Sequence, residues 1–310
     1  MTEMQRYLAE EVAEDLADGI ITRREAMRRL SLMGVTGATA TALLASFAEP
    51  AVAKGGDRGG GHRHSRRGSA TEWAPVATVD ITFPGPAGTL MGAWAAAARP
   101  RGGVLVIHEN RGLNAHIREV AGRFAATGWS ALALDLLSRR GGTGAFATEA
   151  EVTAALNQLA ATPEVFDADM KAALTEIARR VGRREDLAAI GFCFGGGMVW
   201  RLLSSGEPRL DAAAPFYGPF PSGGSLKGSR AAVLGVYGGR DTRILETRPA
   251  AQAALEAARL KHEILTFTDA DHAFFNHTGA RFNAPAAAEA WRRVIEWFDA
   301  AGHHGRGHDD

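Results

Sequence analysis

The chain has 310 residues, of which 46% are hydrophobic and 23% are charged, as is typical of a soluble globular protein. Lysine plus arginine and aspartate plus glutamate each number 35, so the formal net charge is zero and nucleic acid is not an expected partner. The single cysteine, Cys193, excludes an intramolecular disulfide and a zinc site made of several cysteines. The length suits one α/β domain with additional segments at both ends.

Residues 1–53 are predicted to be a twin-arginine export signal. The arginine pair at 23–24 precedes an apolar, small-residue run at 30–47, and Ala-Val-Ala at 51–53 matches the pattern that signal peptidases cut. We therefore expect export to the periplasm or out of the cell, with transient membrane contact through the signal. Two alternatives stay open, namely a cytoplasmic amphipathic helix followed by a linker, and a retained membrane anchor.

Two segments are too rich in glycine, arginine and histidine to bury apolar surface. Residues 54–72 are predicted to be a disordered linker, and residues 302–310 a disordered tail. His62 and His64 could hold a metal loosely, although a solvated linker is the favoured interpretation. One folded domain is expected between them, over residues 73–301.

Within this domain, short apolar runs alternate with stretches of helical periodicity. Such alternation predicts an α/β fold with a mostly parallel central sheet and helices on both faces. The predicted strands are 76–83, 90–95, 103–108, 129–134, 187–192, 211–217, 232–237 and 263–267. The predicted helices are 116–127, 148–160, 164–181, 196–203, 248–259 and 285–300.

The cysteine lies in Gly191-Phe192-Cys193-Phe194-Gly195, the spacing of a nucleophile carried on a sharp turn between a buried strand and a helix. A lone cysteine is more often a small buried hydrophobe, but this context favours a nucleophile. The helix that follows directs a partial positive charge at the sulfur, which predicts a thiolate. The N–H of Phe194 is a candidate oxyanion donor. A phosphate-binding loop is disfavoured because the glycines do not match G-x-G-x-x-G.

A thiol nucleophile needs a base, and the base needs an acid that orients it. Asp241 and His272 each follow a predicted strand, and they come after the cysteine in the order acid, then histidine. Asp269 and Asp271 are competing candidates for the acid. The two residues could also be a turn and a structural histidine, but their order and placement favour catalysis.

The charged segment 108–112 (HENRG) ends another buried strand at the same predicted edge of the sheet. It could be a solvated loop. The functional interpretation is that Glu109 faces the thiol and controls its proton, while the N–H of Asn110 supplies a second oxyanion donor.

Residues 76–300 resemble the dienelactone hydrolase (carboxymethylenebutenolidase-like) family of α/β-hydrolases. The resemblance implies a triad of Cys193, His272 and Asp241, with Glu109 holding the resting thiol and Asn110 and Phe194 forming the oxyanion hole. The segments that carry it are HENRGLN at 108–114, DLLSR at 135–139, GFCFGG at 191–196, G-x-x-D at 238–241 and DHAFFN at 271–276.

The chain departs from the family at two substrate-binding positions. Leu137 stands where founding members carry a tyrosine, and Asn276 stands where they carry an arginine that helps hold the substrate carboxylate. Arg111 and Arg139 are candidates to replace that arginine, and Phe274 and Asn276 are further candidate substrate-binding residues.

The expected activity is hydrolysis of a small ester or lactone, with no cofactor and no metal. Three alternatives remain: a broad short-chain carboxylesterase, a non-catalytic small-molecule binding protein on the same fold, and a redox protein, which is disfavoured because Cys193 has no C-x-x-C partner. The sequence does not indicate an oligomeric state.

Overall fold

The computed structural model describes residues 1–47, 74–182 and 185–302. Its centre is an eight-stranded sheet with the strand order β1-β2-β4-β3-β5-β6-β7-β8. The strands are β1 Val79–Gly85, β2 Gly88–Ala95, β3 Gly102–Ile107, β4 Trp129–Leu134, β5 Asp186–Phe192, β6 Ala212–Phe216, β7 Ala232–Gly238 and β8 His262–Phe267.

The sheet is antiparallel only at one edge, where β2 pairs with β1 and with β4. All other neighbouring strands are parallel. Strands β3, β4, β6 and β7 are buried along their whole length, which explains why their sequences are continuous apolar runs. The predicted mostly parallel sheet is confirmed.

Helices cover both faces of this sheet. On one face, Phe124 and Phe298 stack at 5.9 Å, and on the other, the Phe166 and Phe194 rings meet edge to face at 5.7 Å. The described helices are α1 Glu3–Ala17, α2 Arg23–Leu32, α3 Gly37–Ser46, α4 Ala115–Ala126, α5 Glu149–Leu159, α6 Glu164–Val181, α7 Phe194–Ser204, α8 Thr242–Leu245, α9 Arg248–Ala257 and α10 Ala284–Gly302.

The first three helices lie within the segment predicted to be an export signal. They share a small apolar cluster of their own, made of Ala9, Val12 and Ala13 from α1 together with Ala26, Leu30, Val35, Ala40 and Leu44. Tyr7 and Leu8 of α1 instead join the main core. Among the described residues, none of the helices combines the length and apolar character needed to cross a membrane.

The termini of the folded domain differ slightly from the prediction. Gly302, expected to begin the tail, is the last residue of α10 and packs so closely on Asp186 that a Cβ would lie 2.1 Å from its Oδ2 atom. The predicted linker 54–72, including His62 and His64, and the tail from 303 onward lie outside the described residues.

Candidate active site

Cys193 occupies the sharp turn between β5 and α7. Its backbone has φ 56° and ψ −118°, a conformation that costs energy for a residue with a side chain. The turn requires glycine on both sides. A Cβ on Gly191 would lie 2.1 Å from the Gly195 oxygen, and a Cβ on Gly195 would lie 2.3 Å from the Ile107 oxygen. The strained turn therefore presents the thiol at the carboxyl end of the sheet.

His272 and Asp241 meet beside this thiol, at the ends of β8 and β7. The Nδ1 atom of His272 lies 2.6 Å from Oδ2 of Asp241, and both side chains are buried. The other Asp241 oxygen accepts the Ile244 N–H at 3.2 Å and so begins α8. This carboxylate is consequently fixed in orientation against the imidazole.

The competing acids lie elsewhere. Asp269 and Asp271 are at the surface, and both lie near the Arg240 guanidinium, at 3.5 and 3.8 Å. The structure thus brings Asp241, rather than either of them, to the imidazole.

Two residues from α1, not predicted from the sequence to belong to the site, also reach the thiol. The Tyr7 hydroxyl lies 3.2 Å from Sγ of Cys193, and Glu11 accepts a hydrogen bond from Sγ at 3.4 Å. The same Glu11 oxygen lies 3.3 Å from Nε2 of His272. A helical spacing of four residues places Tyr7 and Glu11 on one face of α1. The sequence could therefore have indicated that these two residues share a helix face, but not which part of the chain that face contacts.

Arg243, from α8, holds Glu11 in this position. Its guanidinium donates to Glu11 and, at 2.7 Å, to Glu14, and it lies 4.8 Å from the Tyr7 ring centroid. Burial by itself would lower the pKa of Arg243, but Glu11, Tyr7 and Glu14 outweigh burial and raise it. The acidic face of α1 and this one arginine therefore form a buried charge cluster above the thiol.

This environment opposes the expectation that the helix N-terminus makes Cys193 a thiolate. Burial, followed by the charge of Glu11, raises the pKa of the thiol to about 11, even though His272 acts in the opposite direction. Burial would lower the pKa of His272, but Glu11 and Asp241 raise it well above its usual value. With α1 in place, burial and Glu11 therefore favour the neutral thiol, and the two carboxylates favour the protonated imidazole.

Glu109 does not hold the thiol in this structure. Its Oε2 atom accepts a hydrogen bond of 2.6 Å from Asn276, while Oε1 has no hydrogen-bond partner among the described residues. Burial raises the pKa of Glu109. Instead of Glu109, the thiol contacts Tyr7 and Glu11.

A cavity of about 230 Å³ lies beside the thiol and contains several predicted residues. Its lining includes Glu11, Glu109, Asn110, Arg111, Cys193, His272 and Asn276. The assignment of the Asn110 and Phe194 amides as oxyanion donors stays a prediction.

Two candidate substrate-binding residues lie apart from this cavity. The Arg139 guanidinium donates two hydrogen bonds to Asp169, at 2.7 and 2.8 Å. Phe274 is fully buried and packs against Phe216, Tyr217 and Phe267.

In the described part of the chain, two groups of side chains have spacings that could suit a metal ion. One is Glu11, Cys193 and His272, whose ligand atoms lie within 4.8 Å of one another, and the other is Glu14, Asp241 and His272. The Arg243 guanidinium, bound to both glutamates, disfavours an added cation there.

Comparisons with known proteins agree with this architecture. The sequence profile of the dienelactone hydrolase family matches residues 89–302. An Escherichia coli (strain K12) protein named "Putative carboxymethylenebutenolidase" is 34% identical over 214 residues, which cover 64% of this chain and 77% of that one. A Synechocystis protein of the same name is 31% identical over 213 residues, covering 63% and 84%.

Solved structures show the same similarity. A crystal structure from Klebsiella pneumoniae named "Putative Dienelactone Hydrolase" has a TM-score of 0.62 and 28% identity, and the match covers 72% of this chain and 98% of that one. A dienelactone hydrolase-like promiscuous phosphotriesterase from metagenomic libraries has a TM-score of 0.63 and 25% identity, with coverage of 74% and 99%.

Proposed function

Because the chain belongs to the dienelactone hydrolase family of α/β-hydrolases, we propose that it hydrolyses a small ester or lactone with Cys193 as the nucleophile. His272 is the base, and Asp241 orients its ring. One observation carries the proposal: the buried 2.6 Å contact between Asp241 and His272 lies beside a cysteine held on a strained strand-to-helix turn.

In the proposed first half-reaction, His272 accepts the thiol proton and Sγ of Cys193 attacks the substrate carbonyl carbon. The developing oxyanion accepts hydrogen bonds from the N–H groups of Asn110 and Phe194, and each such donor contributes about 3 kcal/mol in comparable sites. The tetrahedral intermediate then breaks its bond to the alcohol oxygen, and the imidazolium gives that oxygen its proton. An acyl thioester on Cys193 and a free alcohol result.

The second half-reaction restores the enzyme. His272 takes a proton from a water molecule, and the oxygen of that water attacks the thioester carbonyl. The carbon–sulfur bond breaks, the sulfur recovers the proton from His272, and a carboxylic acid leaves. With a lactone, the alcohol and the acid are two ends of one product.

The cavity suggests which substrate groups the site would accept. Its volume is about 230 Å³ with Glu11 of α1 forming part of its wall. Of the two arginines considered as substitutes for the family's carboxylate-binding arginine, Arg111 lines the cavity and lies 3.7 Å from Glu149, whereas Arg139 lies apart from the cavity and is bound by Asp169. We therefore propose Arg111 as the group nearest to an acidic substituent of the substrate.

Replacement of the nucleophile tests this function. Cys193→Ala should abolish hydrolysis of chromogenic short-chain esters and of simple lactones, while the far-ultraviolet circular dichroism stays unchanged. Iodoacetamide should label the wild type at Cys193, and labelling should block turnover in proportion. Undiminished hydrolysis by Cys193→Ala would overturn the assignment. Inertness toward every ester, both in the wild type and in an Asp15→Asn/Asp18→Asn variant that lacks the ion pairs of α1 with Arg281, would favour a binding protein.

We also propose that residues 1–53 direct export. The support is the order of the paired arginines, the apolar run and the Ala-Val-Ala at 51–53. Replacing Arg23 and Arg24 together with lysine should leave the protein inside the cell in fractionation experiments. Mass spectrometry of the exported form should find its N-terminus near residue 54, whereas unchanged export of the double variant would contradict the proposal.

A further inference from the structure

Helix α1 lies over the thiol on which the proposed function rests. We propose that α1 is a built-in inhibitor, occupying the place of the substrate through Tyr7 and Glu11, and that the enzyme turns over only when α1 leaves the site. The proposal depends on Cys193 being the nucleophile, and it adds a regulated state of that same site.

The first argument is steric. A carbonyl carbon must come within about 3–3.5 Å of the sulfur before it can react. The Tyr7 oxygen and the Glu11 carboxylate already lie 3.2 and 3.4 Å from Sγ. Cys193 is only 3% exposed with these side chains in place. A substrate therefore cannot approach the sulfur from the side covered by α1.

The second argument concerns the proton. One oxygen of Glu11 lies close to both groups that must exchange this proton. It is 3.4 Å from Sγ of Cys193 and 3.3 Å from Nε2 of His272. The thiol thus has a carboxylate acceptor that competes with the imidazole for its proton. His272 has a carboxylate near each ring nitrogen, which favours its protonated form and opposes its action as the base.

The third argument is that α1 is bound largely through charge. Arg243 pairs with Glu11 and Glu14, while Arg281 pairs with Asp15 at 3.1 Å and Asp18 at 2.7 Å. Ala9, Val12 and Ala13 of α1 pack with residues of α2 and α3, whereas Tyr7 and Leu8 join the main core. Separation of α1 from the domain would therefore expose these two side chains in addition to breaking the ion pairs.

The contact between the N-terminal helices and the domain at 74–302 is not continuous. A solvent-open cleft of about 1570 Å³ lies between them, with Glu14, Leu44, Met198 and Arg240 among its lining residues. Because α1 precedes the proposed cleavage site at 51–53, cleavage there would break its covalent link to the domain and leave only the non-covalent contacts to hold it.

Loosening α1 in the full-length chain tests the inhibitor. The double variant Asp15→Asn/Asp18→Asn removes the ion pairs with Arg281 and leaves Cys193, His272 and Asp241 untouched. We expect labelling of Cys193 by iodoacetamide and turnover of a short-chain ester each to rise about tenfold, as loss of two ion pairs implies. Arg28→Gln is the matched control, since its ion pair with Glu25 lies within α2.

The outcomes distinguish failure of the proposal that α1 is an inhibitor from failure of the proposed function. Unchanged labelling and turnover in the double variant would overturn the inhibitor, and reduced turnover would show that α1 belongs to the catalytic machinery. Adding Cys193→Ala to the double variant should abolish the gained turnover. If it does not, the nucleophile assignment fails instead.

A peptide supplies a second measurement. A synthetic peptide of residues 1–20 should inhibit the double variant competitively, and the same peptide with Glu11→Gln should inhibit it less. Absence of inhibition by the unaltered peptide, in a double variant whose turnover has risen, would also overturn the proposal.

Discussion

The Cys193 thiol donates a hydrogen bond of 3.4 Å to Glu11, a residue 182 positions earlier in the chain. This contact joins the N-terminal segment to the centre of the candidate active site. It also places a negative charge where a thiolate would otherwise form, and like charges at this distance strongly disfavour each other when buried. Glu11 of the N-terminal segment therefore adds to burial in raising the pKa of the thiol.

Removing this charge should make the thiol more acidic. In the Glu11→Gln variant, we expect the pKa of Cys193 to fall below the value of about 11 that burial and Glu11 together produce. The rate of alkylation by iodoacetamide, measured from neutral to strongly alkaline pH, reports the thiolate fraction directly. The rising limb of that profile should move to lower pH.

Other groups face the thiol and remain in the variant. They are Tyr7, Glu109, Tyr217 and His272. Glu14→Gln is the matched control, because Glu14 pairs with Arg243 but does not contact the sulfur. Equal shifts in the two variants would show that the general charge of α1, rather than the contact with Glu11, sets the pKa of Cys193.

The carboxylate of Asp241 should matter far more for turnover than those of Asp269 and Asp271, which lie close to His272 in the sequence. Asp241→Asn removes the charge that stabilises the imidazolium but keeps an oxygen that can accept the Ile244 N–H. We expect kcat to fall by about 10²–10⁴, as in other triads that lose this charge. Ester turnover should be compared in the Asp15→Asn/Asp18→Asn background, where α1 is loosened.

The exposed acids are the controls for this measurement. Asp269→Asn and Asp271→Asn should leave kcat within about twofold, since changes at the surface away from a site rarely have larger effects. A large loss in either, with Asp241→Asn active, would reassign the orienting acid.

Much of the sheet could be predicted because its strands are buried on both faces. The prediction of 187–192 corresponds to Asp186–Phe192, and 129–134 corresponds to Trp129–Leu134. Continuous apolar runs leave little ambiguity when glycines bound them. The short helix α8 was not predicted, because four residues are too few for a periodic pattern.

The arrangement over the thiol could not be predicted in the same way. Local spacing indicates that Tyr7 and Glu11 share a helix face, yet it says nothing about a partner far along the chain. The expected thiolate was wrong for a related reason. The partial charge of a helix N-terminus can be inferred from local sequence, whereas burial and the charge of Glu11 depend on the tertiary structure.

Two glycines that follow Cys193 should differ widely in how much an alanine at their position changes the stability of the protein. In Gly195→Ala, the new Cβ would lie 2.3 Å from the Ile107 oxygen, so the backbone must shift and the free energy of unfolding should fall by about 1–3 kcal/mol or more. In Gly197→Ala, the nearest atom is Cδ of Pro219 at 3.3 Å. This control should be neutral or gain about 0.5–1 kcal/mol from helix propensity. Urea denaturation of both variants, compared with the wild type, gives the two values.

Asn276→Ala should destabilise the protein in a manner that depends on pH. Asn276 donates to Glu109 and accepts from the Thr278 N–H and hydroxyl, so its loss should cost about 1–3 kcal/mol. Burial raises the pKa of Glu109, and the bond from Asn276 lowers it. Without that hydrogen bond, the ionised form of Glu109 is less stable in the folded state, so the pKa of Glu109 rises further.

The sign of the pH dependence follows from the state of Glu109. At low pH the Glu109 carboxyl is protonated in both the folded and the unfolded chain. The loss of stability in Asn276→Ala then comes only from the missing hydrogen bonds. The unfolded chains of wild type and variant ionise alike, so their contribution cancels. The extra destabilisation therefore grows as pH rises through the raised pKa of Glu109 in the folded wild type, because the variant stabilises the carboxylate less. Urea denaturation at about pH 4.5 and about pH 8 should therefore give a larger loss at the higher pH. Thr278→Ala, which removes only the hydroxyl contact, should show no such difference, and a pH-independent loss in Asn276→Ala would mean that Glu109 does not depend on this bond.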